Sequence, residues 1–471
     1  MNKVREVFFT VLLAVAFFMA ASFFEGELNV GSYTLKQPKL LDEITAKGKI
    51  SKAPSTAKTL SDSLILKIDS LIAQRNIDPE NIIEFSNDTT GGMCKFFEAL
   101  NQTKQKKKKT RIAYFGDSMI EGDLITQDLR KLLQQNFGGS GVGFVPVTSI
   151  VAGFRVTINH AFSPNWHIYN LLDPVSEKHT LGISGYVFEP SYFVANIDTG
   201  NLNNINGSWV KYAAVKQPRL NKFDNIKLYY GNSTGNNYIC CNKVNAKLEG
   251  NDVVNQLTLN QHGSQNISAN FICQSPVNIY GFSFESDSGV LVDNFSFRGN
   301  SGMPLTKIPH NVLTGLNKYL NYDLVVLHYG VNVVNSKTTD YTFYEKGMTE
   351  VVKHFQSCFP NASILVVSTG DKSIRKNGQY ITDPSVPIVV AAQRRVAEKT
   401  NTAFWNLYES MGGENSMVKW AQGDTIYANK DYTHFNFRGA KRVAEMFYKN
   451  ISDKYEEYNK KKVRMSLKAQ V

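Results

Sequence analysis

Three polar residues at distant points of the chain have the side chains that acyl transfer requires. Ser118 follows an apolar run at 112–114 that predicts a β-strand, and Asp431 precedes His434 by three residues, just before a predicted helix. A hydroxyl, an imidazole and a carboxylate supply a nucleophile, a base and a group that orients the base. We therefore predict a catalytic triad in which His434 activates Ser118 and Asp431 orients His434.

Each motif also has a simpler interpretation. The Gly-Asp-Ser tripeptide that ends at Ser118 is typical of a turn in which Asp and Ser cap the following helix. Asp-x-x-His pairs occur in many loops. The catalytic interpretation is favoured by Asn332, which closes a Gly-Val-Asn motif directly after a predicted strand at 323–328. A polar side chain at the carboxyl end of a parallel strand is placed to reach an active site.

The elements around these residues alternate between strand and helix. A predicted strand at 111–115 leads into Ser118, and a helix from about 124 to 137 ends at a Gly-Gly pair. After residue 300, strands and helices follow in turn at 323–328, 344–355, 363–368, 388–398 and 403–407. Such alternation predicts a parallel sheet in a three-layer α/β/α fold.

The hydrophobic pattern of the chain changes between about 150 and 290. Helical stripes vanish there, and short alternating runs such as 226–230 and 277–282 are separated by turns rich in Asn, Ser and Gly. Closely spaced strands of this kind predict an antiparallel β-sandwich inserted into the α/β domain. Two interpretations of the insert stay open, since it either contacts glycan or is purely structural.

These features divide the chain into six segments. We expect a signal anchor or signal peptide at 1–24, a stalk and helical leader at 25–110, the first part of the α/β domain at 111–150, the inserted sandwich at 151–290, the second part of the α/β domain at 291–450 and a basic tail at 451–471. The leader contains an apolar stripe at 58–76 with helical spacing.

The first segment predicts export. Lys3 and Arg5 precede an uncharged, apolar run at 7–24 that approaches the length of a membrane span. Because positive residues stay on the cytoplasmic side, we expect the rest of the chain in the periplasm or cell envelope. An uncleaved anchor in the inner membrane is favoured over a cleaved signal peptide, since Phe23 and Phe24 follow the small residues of the only cleavage-like site.

Composition argues against other classes of protein. Of the 471 residues, 42% are hydrophobic and 20% are charged, which is an ordinary globular balance. The net charge of +11 comes partly from lysine runs at 106–109 and 460–462. These runs lack interleaved aromatic residues, so we expect solvated segments and no nucleic-acid partner. The five cysteines and eight histidines show no zinc spacing, so no metal site is expected.

Together the motifs resemble those of SGNH (GDSL-type) hydrolases, whose four sequence blocks contribute Ser, Gly, Asn and His. The tripeptide ending at Ser118 matches the first block, with Met119 where the family usually has Leu. The motif ending at Asn332 matches the third block, and the Asp-x-x-His motif ending at His434 matches the fourth. The resemblance implies a flavodoxin-like parallel sheet.

The second block is a single glycine with more than one candidate. In compact members of the family it lies shortly after Ser, which points here to Gly141 or Gly143. In members with an inserted sandwich it follows the insert, which points to Gly299. We choose Gly299, because it precedes Asn332 by 33 residues (332 − 299), about one strand–helix unit. Gly141 and Gly143 are otherwise typical of a flexible turn after a helix.

A narrower resemblance, to bacterial peptidoglycan O-acetylesterases, covers about residues 111–450. It rests on short motifs at 122–123, 141–144, 391–394, 404–407 and 411–413. The resemblance implies a carbohydrate-binding-module-like insert and an esterase that removes O-acetyl groups from cell-envelope polysaccharide without a cofactor. The implied oxyanion hole consists of the backbone N–H groups of Ser118 and Gly299 and the side-chain amide of Asn332.

Two alternative functions stay open at this point. A polysaccharide O-acetyltransferase uses the same triad, with a sugar hydroxyl instead of water as the acyl acceptor. The second alternative is an inactive SGNH protein that binds glycan, although the intact Ser, Asn, Asp and His argue against it. An O-acetylated glycan is the expected partner of the enzyme. The sequence does not indicate the oligomeric state.

Overall fold

The computed structural model describes residues 28–30, 33–35, 81–85, 92–174, 176–242, 244–259 and 263–468. The chain divides into two units, Met1–Asn76 and Ile77–Val471. In the first unit, strands β1 (Leu28–Val30) and β2 (Tyr33–Leu35) pair antiparallel as a short hairpin.

The second unit contains the remaining strands and the helices. Its strands are β3 (Ile83–Glu84), β4 (Lys109–Gly116), β5 (Gly143–Val145), β6 (Asn159–Phe162), β7 (Trp166–Asn170), β8 (Tyr186–Pro190), β9 (Ser208–Ala213), β10 (Asn225–Tyr230), β11 (Asn237–Cys241), β12 (Val244–Lys247), β13 (Asn255–Leu259), β14 (Asn266–Cys273), β15 (Ile279–Glu285), β16 (Gly289–Ser296), β17 (Leu324–His328), β18 (Ser363–Val367), β19 (Ser373–Lys376), β20 (Gln379–Thr382) and β21 (Ala403–Trp405). Its α-helices are α1 (Cys94–Lys106), α2 (Thr126–Phe137), α3 (His310–Leu320), α4 (Thr342–Cys358), α5 (Val386–Lys399), α6 (Leu407–Ser410), α7 (Ser416–Gln422) and α8 (Phe437–Lys468). Short 3₁₀ turns lie at Ser118–Asp123, Ser176–Lys178, Leu202–Asn204 and Met303–Lys307.

Parallel strands form the central sheet in the order β16-β4-β17-β18-β21, and β3 pairs antiparallel with β21 at one edge. Numbered along the chain, the parallel strands have the order 2-1-3-4-5, so the order reverses between β4 and β17. Every residue of β17 is buried, because the sheet is covered on both faces, and this explains the continuous apolar sequence of the strand. A reversal of this kind opens a crevice at the carboxyl ends of the two strands.

Helices cover both faces of the central sheet. On one face, α3, α4 and α5 pack against side chains such as Phe115 and Val325. On the other face, α1, α2 and α8 pack against side chains such as Tyr114 and Val326. Successive residues of a strand point to opposite faces, which is why Tyr114 and Phe115 belong to different cores.

Between α2 and β16 the chain forms two antiparallel sheets. One has the strand order β13-β10-β15-β8-β7, with β5 also paired to β15, and the other has the order β12-β11-β14-β9-β6. Apolar side chains from both sheets, including Phe282 and Ile239, share a core of their own. The expected mixed α/β fold, with a parallel sheet and antiparallel sheets, is therefore confirmed.

The expectation of an inner-membrane partner is corrected by the structure. In the described part of the chain, no helix is both long enough and apolar enough to cross a membrane. Helix α8 has 32 residues, so it is long enough to cross a membrane. It is nevertheless rich in Lys and Glu, whereas a membrane span requires about 20 consecutive, mostly apolar residues. The apolar run at 7–24, the stripe at 58–76 and most of the segment 25–110 lie outside the described residues. The inner membrane is not retained as a partner.

Candidate active site

The reversal in strand order brings two of the predicted site residues to one edge of the sheet. Gly116 ends β4 and pairs in register with His328, which ends the neighbouring parallel strand β17. Ser118 follows the first strand by two residues and Asn332 follows the second by four. Both therefore leave the sheet at its carboxyl edge, beside the crevice that the strand order creates.

Local hydrogen bonds shape the turn that presents Ser118. The carboxylate of Asp117 accepts a hydrogen bond from the backbone N–H of Met119 at 3.0 Å. The side-chain amide of Asn294, on β16, donates to the carbonyl of Ile120 at 2.8 Å. The carboxylate that caps the turn and the amide from the adjacent strand fix the backbone that follows Ser118. Ser118 itself is only partly buried, which leaves its Oγ accessible.

Ser118, His434 and Asp431 lie within one chain of hydrogen bonds. The Oγ of Ser118 is 2.8 Å from Nε2 of His434, and Nδ1 of the same ring is 2.8 Å from Oδ2 of Asp431. The other carboxylate oxygen, Oδ1, accepts the backbone N–H groups of Thr433 and His434, each at 3.0 Å. The imidazole is thus placed to remove the hydroxyl proton while the carboxylate holds its far side.

The loop that carries Asp431 and His434 is braced by a neighbouring hairpin. Tyr432 lies in the left-handed region, with φ of 53°, which is uncommon for a residue with a side chain. Its ring stacks on Tyr380 of the β19–β20 hairpin, with centroids 3.7 Å apart. Its carbonyl accepts the N–H of Ser373 at 3.0 Å. These contacts hold a strained conformation that places Asp431 against His434 and His434 against Ser118.

Hydrogen bonds keep the Asp431 carboxylate ionised. Burial by itself raises the pKa of this group, but the backbone N–H and the ring of His434, together with the N–H of Thr433, hold the pKa below its ordinary value. A carboxylate with a lowered pKa stays charged at neutral pH. It is therefore suited to orient His434 and to stabilise a positive charge on its ring.

The loop at Gly299 lies beside Ser118. Gly299 has φ of 75°, and a Cβ built on it meets no atom within 4 Å, so the loop conformation itself favours glycine there. The side-chain amide of Asn332 donates to the carbonyl of Asn300 at 3.0 Å. Gly141 and Gly143 lie elsewhere, since they pack against Phe284 and Asp293. Gly299 is thus the glycine that the structure places with Ser118 and Asn332.

A single cavity joins these residues. Its volume is about 570 Å³, within the usual range for ligand sites of roughly 300 to 1,000 Å³. It is lined by Ser118, Met119, Glu121, Leu124, Val151, Phe154, Arg298, Gly299, Asn332, Asn429, Asp431, His434 and Phe435. Every residue predicted for the triad or the oxyanion hole therefore borders the same space.

The cavity also contains an ion pair that the sequence does not reveal. Nε of Arg298 lies 3.1 Å from both carboxylate oxygens of Glu121, and its Nη2 donates to the same carboxylate. Arg298 precedes Gly299 and Glu121 lies in the turn after Ser118. The pair links the two backbone segments that carry the expected oxyanion-hole N–H groups. In the sequence, the only indication of this pair is that Arg298 lies beside Gly299 and Glu121 lies close to Ser118.

A buried charged cluster lies beneath the turn after Ser118. The carboxylate of Asp123 accepts hydrogen bonds from Arg130 at 2.7 and 2.8 Å, from Thr126 at 2.6 Å, from Thr157 at 2.6 Å and from Arg155 at 3.3 Å. Burial alone raises the pKa of Asp123, but the two guanidinium groups and Thr126 hold it well below its ordinary value. Because Arg155 and Thr157 belong to the segment that leads into β6, the cluster ties that segment to the nucleophile turn.

Comparison with solved structures bears on the fold. The chain is similar to a peptidoglycan O-acetylesterase, with 20% identity, a TM-score of 0.63, and coverage of 80% of this chain and 99% of that chain. It also aligns with an acetyl xylan esterase (23% identity, TM-score 0.28, covering 34% of this chain and 80% of that one). A third alignment is to a family two carbohydrate esterase from Clostridium thermocellum in complex with cellohexaose (10% identity, TM-score 0.27, 63% of this chain and 98% of that one).

No protein-family model matches this chain, and no curated protein matches it in sequence. The resemblance to peptidoglycan O-acetylesterases that the motifs indicate is confirmed by the first of these structures, at the level of the fold.

Proposed function

We propose that this chain is an SGNH-type serine esterase, with the three-layer α/β/α arrangement of that class, and that it removes O-acetyl groups from a cell-envelope polysaccharide. The observation that carries the proposal is the chain of hydrogen bonds from Ser118 through His434 to Asp431, each link 2.8 Å long. A nucleophile, base and orienting carboxylate in this geometry, at the wall of a cavity, support covalent acyl chemistry.

The proposed reaction has two halves. Nε2 of His434 takes the proton from Ser118 Oγ as Oγ bonds to the acetyl carbonyl carbon. The C–O bond to the sugar then breaks, and the imidazolium gives its proton to the departing sugar oxygen. Water next loses a proton to His434 and adds to the acyl-enzyme. Acetate leaves, and Ser118 Oγ recovers the proton.

The oxyanion of each tetrahedral intermediate needs fixed donors. We assign this role to the backbone N–H groups of Ser118 and Gly299 and to the side-chain amide of Asn332. All three residues line the cavity, and the hydrogen bond from Asn332 to the carbonyl of Asn300 holds the amide beside the Gly299 loop. Donors that are already in place stabilise developing charge without the cost of reorganisation.

The proposed substrate class rests on a solved structure of the same fold and on the size of the cavity. A solved structure with the same fold is a peptidoglycan O-acetylesterase, and the cavity is larger than an acetyl group requires. A periplasmic or cell-envelope location is part of the proposal and rests on the apolar, positively flanked sequence near the N-terminus as an export signal.

Acetate release tests the proposal directly. The full chain is incubated with O-acetylated peptidoglycan, in water alone and with a deacetylated glycan as acceptor. The proposal predicts free acetate in both mixtures. Quantitative transfer to the acceptor without acetate identifies a transferase instead, and no change in either acetyl pool identifies a protein that only binds.

A further inference from the structure

Two exposed phenylalanines, one of them in the cavity lining, pack against each other. Phe154 lines the cavity and is 43% exposed, and Phe437 is 42% exposed. Their ring centroids are 5.3 Å apart with an interplanar angle of 36°. Phe437 follows His434 by three residues, so the two rings meet beside the catalytic base. We call Phe154 and Phe437 the aromatic rim.

Backbone hydrogen bonds and packing hold Phe154 in place. The N–H groups of Phe154 and Arg155 both donate to the carbonyl of Val151, at 2.9 and 3.1 Å. The ring of Phe154 packs on Gly122, where a Cβ would collide with it. Arg155 then donates to the buried carboxylate of Asp123. A rigid aromatic face binds a ligand at low entropic cost, because little side-chain freedom is lost.

The cavity lining combines apolar side chains with charged and amide groups. Glu121 and Arg298 form an ion pair within it, and Asn332 and Asn429 add amide groups. A long acyl chain would displace water from these charged and amide groups without offering them hydrogen bonds, at a cost in free energy. A pyranose ring carries C–H groups on its faces and hydroxyls around its edge. It therefore suits an aromatic surface with polar groups nearby.

We propose that the aromatic rim binds the pyranose ring of the acetylated sugar and so determines specificity for glycan over small esters. This inference rests on the proposed esterase function and assigns its sugar-binding surface. Phe154 and Phe437 contact the sugar rather than the reacting acetyl group. They contribute to binding of the glycan in the ground state and the transition state alike.

The test compares kcat/KM on two substrates for the wild type, Phe154→Ala and Phe437→Ala. One substrate is 4-nitrophenyl acetate, and the other is O-acetylated peptidoglycan or acetylated xylan, whichever the wild type deacetylates faster. The ratio of glycan to small-ester kcat/KM is expected to fall about tenfold in each variant, mainly through KM. Phe154→Tyr and Phe437→Tyr keep the ring and are expected to keep the ratio.

The matched control is Phe343→Ala, which removes a 56% exposed phenylalanine outside the cavity lining. It is expected to leave both rates and their ratio at the wild-type values. An unchanged ratio in the alanine variants overturns the inference, as does a loss that the tyrosine variants fail to restore. If the wild type deacetylates neither glycan, the proposed function fails, whatever the aromatic rim does.

Discussion

The side-chain amide of Asn332 donates a hydrogen bond to the backbone carbonyl of Asn300, 3.0 Å away. Asn332 follows β17, whereas Asn300 follows the antiparallel insert and β16. This bond therefore joins the two loops that carry the proposed side-chain and backbone donors of the oxyanion hole. Because the amide is already oriented in the free enzyme, it is ready for the charge that develops on the carbonyl oxygen.

Replacement of Asn332 tests that role. Asn332→Ala removes the amide donor, and loss of one oxyanion donor typically lowers kcat by about 10²- to 10³-fold. Asn332→Asp keeps the shape but replaces the donor with an acceptor, so an equal or larger loss is expected. Steady-state kinetics on 4-nitrophenyl acetate measure both. Near wild-type kcat in Asn332→Asp contradicts the assignment, since shape alone then suffices.

The buried cluster around Asp123 is expected to contribute strongly to stability. Asp123→Asn leaves Arg130 and Arg155 without their carboxylate, and breaking a buried ion pair typically costs about 3–5 kcal/mol. Denaturant unfolding of the two proteins measures the difference. The matched control is Asp453→Asn, which breaks an exposed pair with Lys449 and is expected to cost less than about 1 kcal/mol. Equal effects of the two substitutions would show that the Asp123 cluster is not stabilising.

The same cluster predicts a direction for acid stability. The folded-state pKa of Asp123 lies below its unfolded value, so its contribution is complete above the unfolded pKa and is lost as the pH falls through the acid range. Asp123→Asn removes this titration. The difference in free energy of unfolding between wild type and Asp123→Asn is therefore expected to decrease as the pH falls.

The raised pKa of Asp117 predicts the opposite dependence of stability on pH. Burial raises its pKa to about 7, although hydrogen bonds from the Met119 N–H and the Asn332 amide oppose the rise. The folded state then retains a proton that the unfolded chain releases at about pH 4. Its contribution to stability is lost as the pH rises from about 4 to about 7.

The neutral, isosteric variant Asp117→Asn does not titrate. Relative to wild type, we expect Asp117→Asn to become more stable as the pH rises through this window, because only the wild type loses this contribution. Denaturant unfolding at several pH values measures the difference. A pH-independent difference between the two proteins would contradict the raised pKa.

Much of the scaffold is predictable because buried parallel strands leave continuous apolar runs. The predicted strands at 111–115 and 323–328 correspond to β4 (Lys109–Gly116) and β17 (Leu324–His328). The residues that lie together at Ser118 can also be identified in the sequence, because each one follows a predicted strand or precedes a predicted helix. The distances between their side chains cannot be predicted in this way, since Ser118 and His434 are 316 residues apart.

The rest of the site depends on tertiary contacts that leave no local pattern. Glu121 and Arg298 are 177 residues apart, and although both lie beside site motifs, nothing in the sequence indicates that they pair. Phe154 lies in a loop and reaches the cavity only because Arg155 and Thr157 dock on Asp123. The inner-membrane prediction is corrected by a different finding, since no helix in the described part of the chain is both long enough and apolar enough to cross a membrane.

The hydroxyl of Ser118 carries the central claim, and acetate release by the full chain tests it most directly. Wild type and Ser118→Ala are compared on the same acetylated substrate, with circular dichroism to confirm that both are folded. Removal of the nucleophile is expected to lower kcat by at least about 10³-fold. Equal rates of acetate release from the two folded proteins would contradict the account.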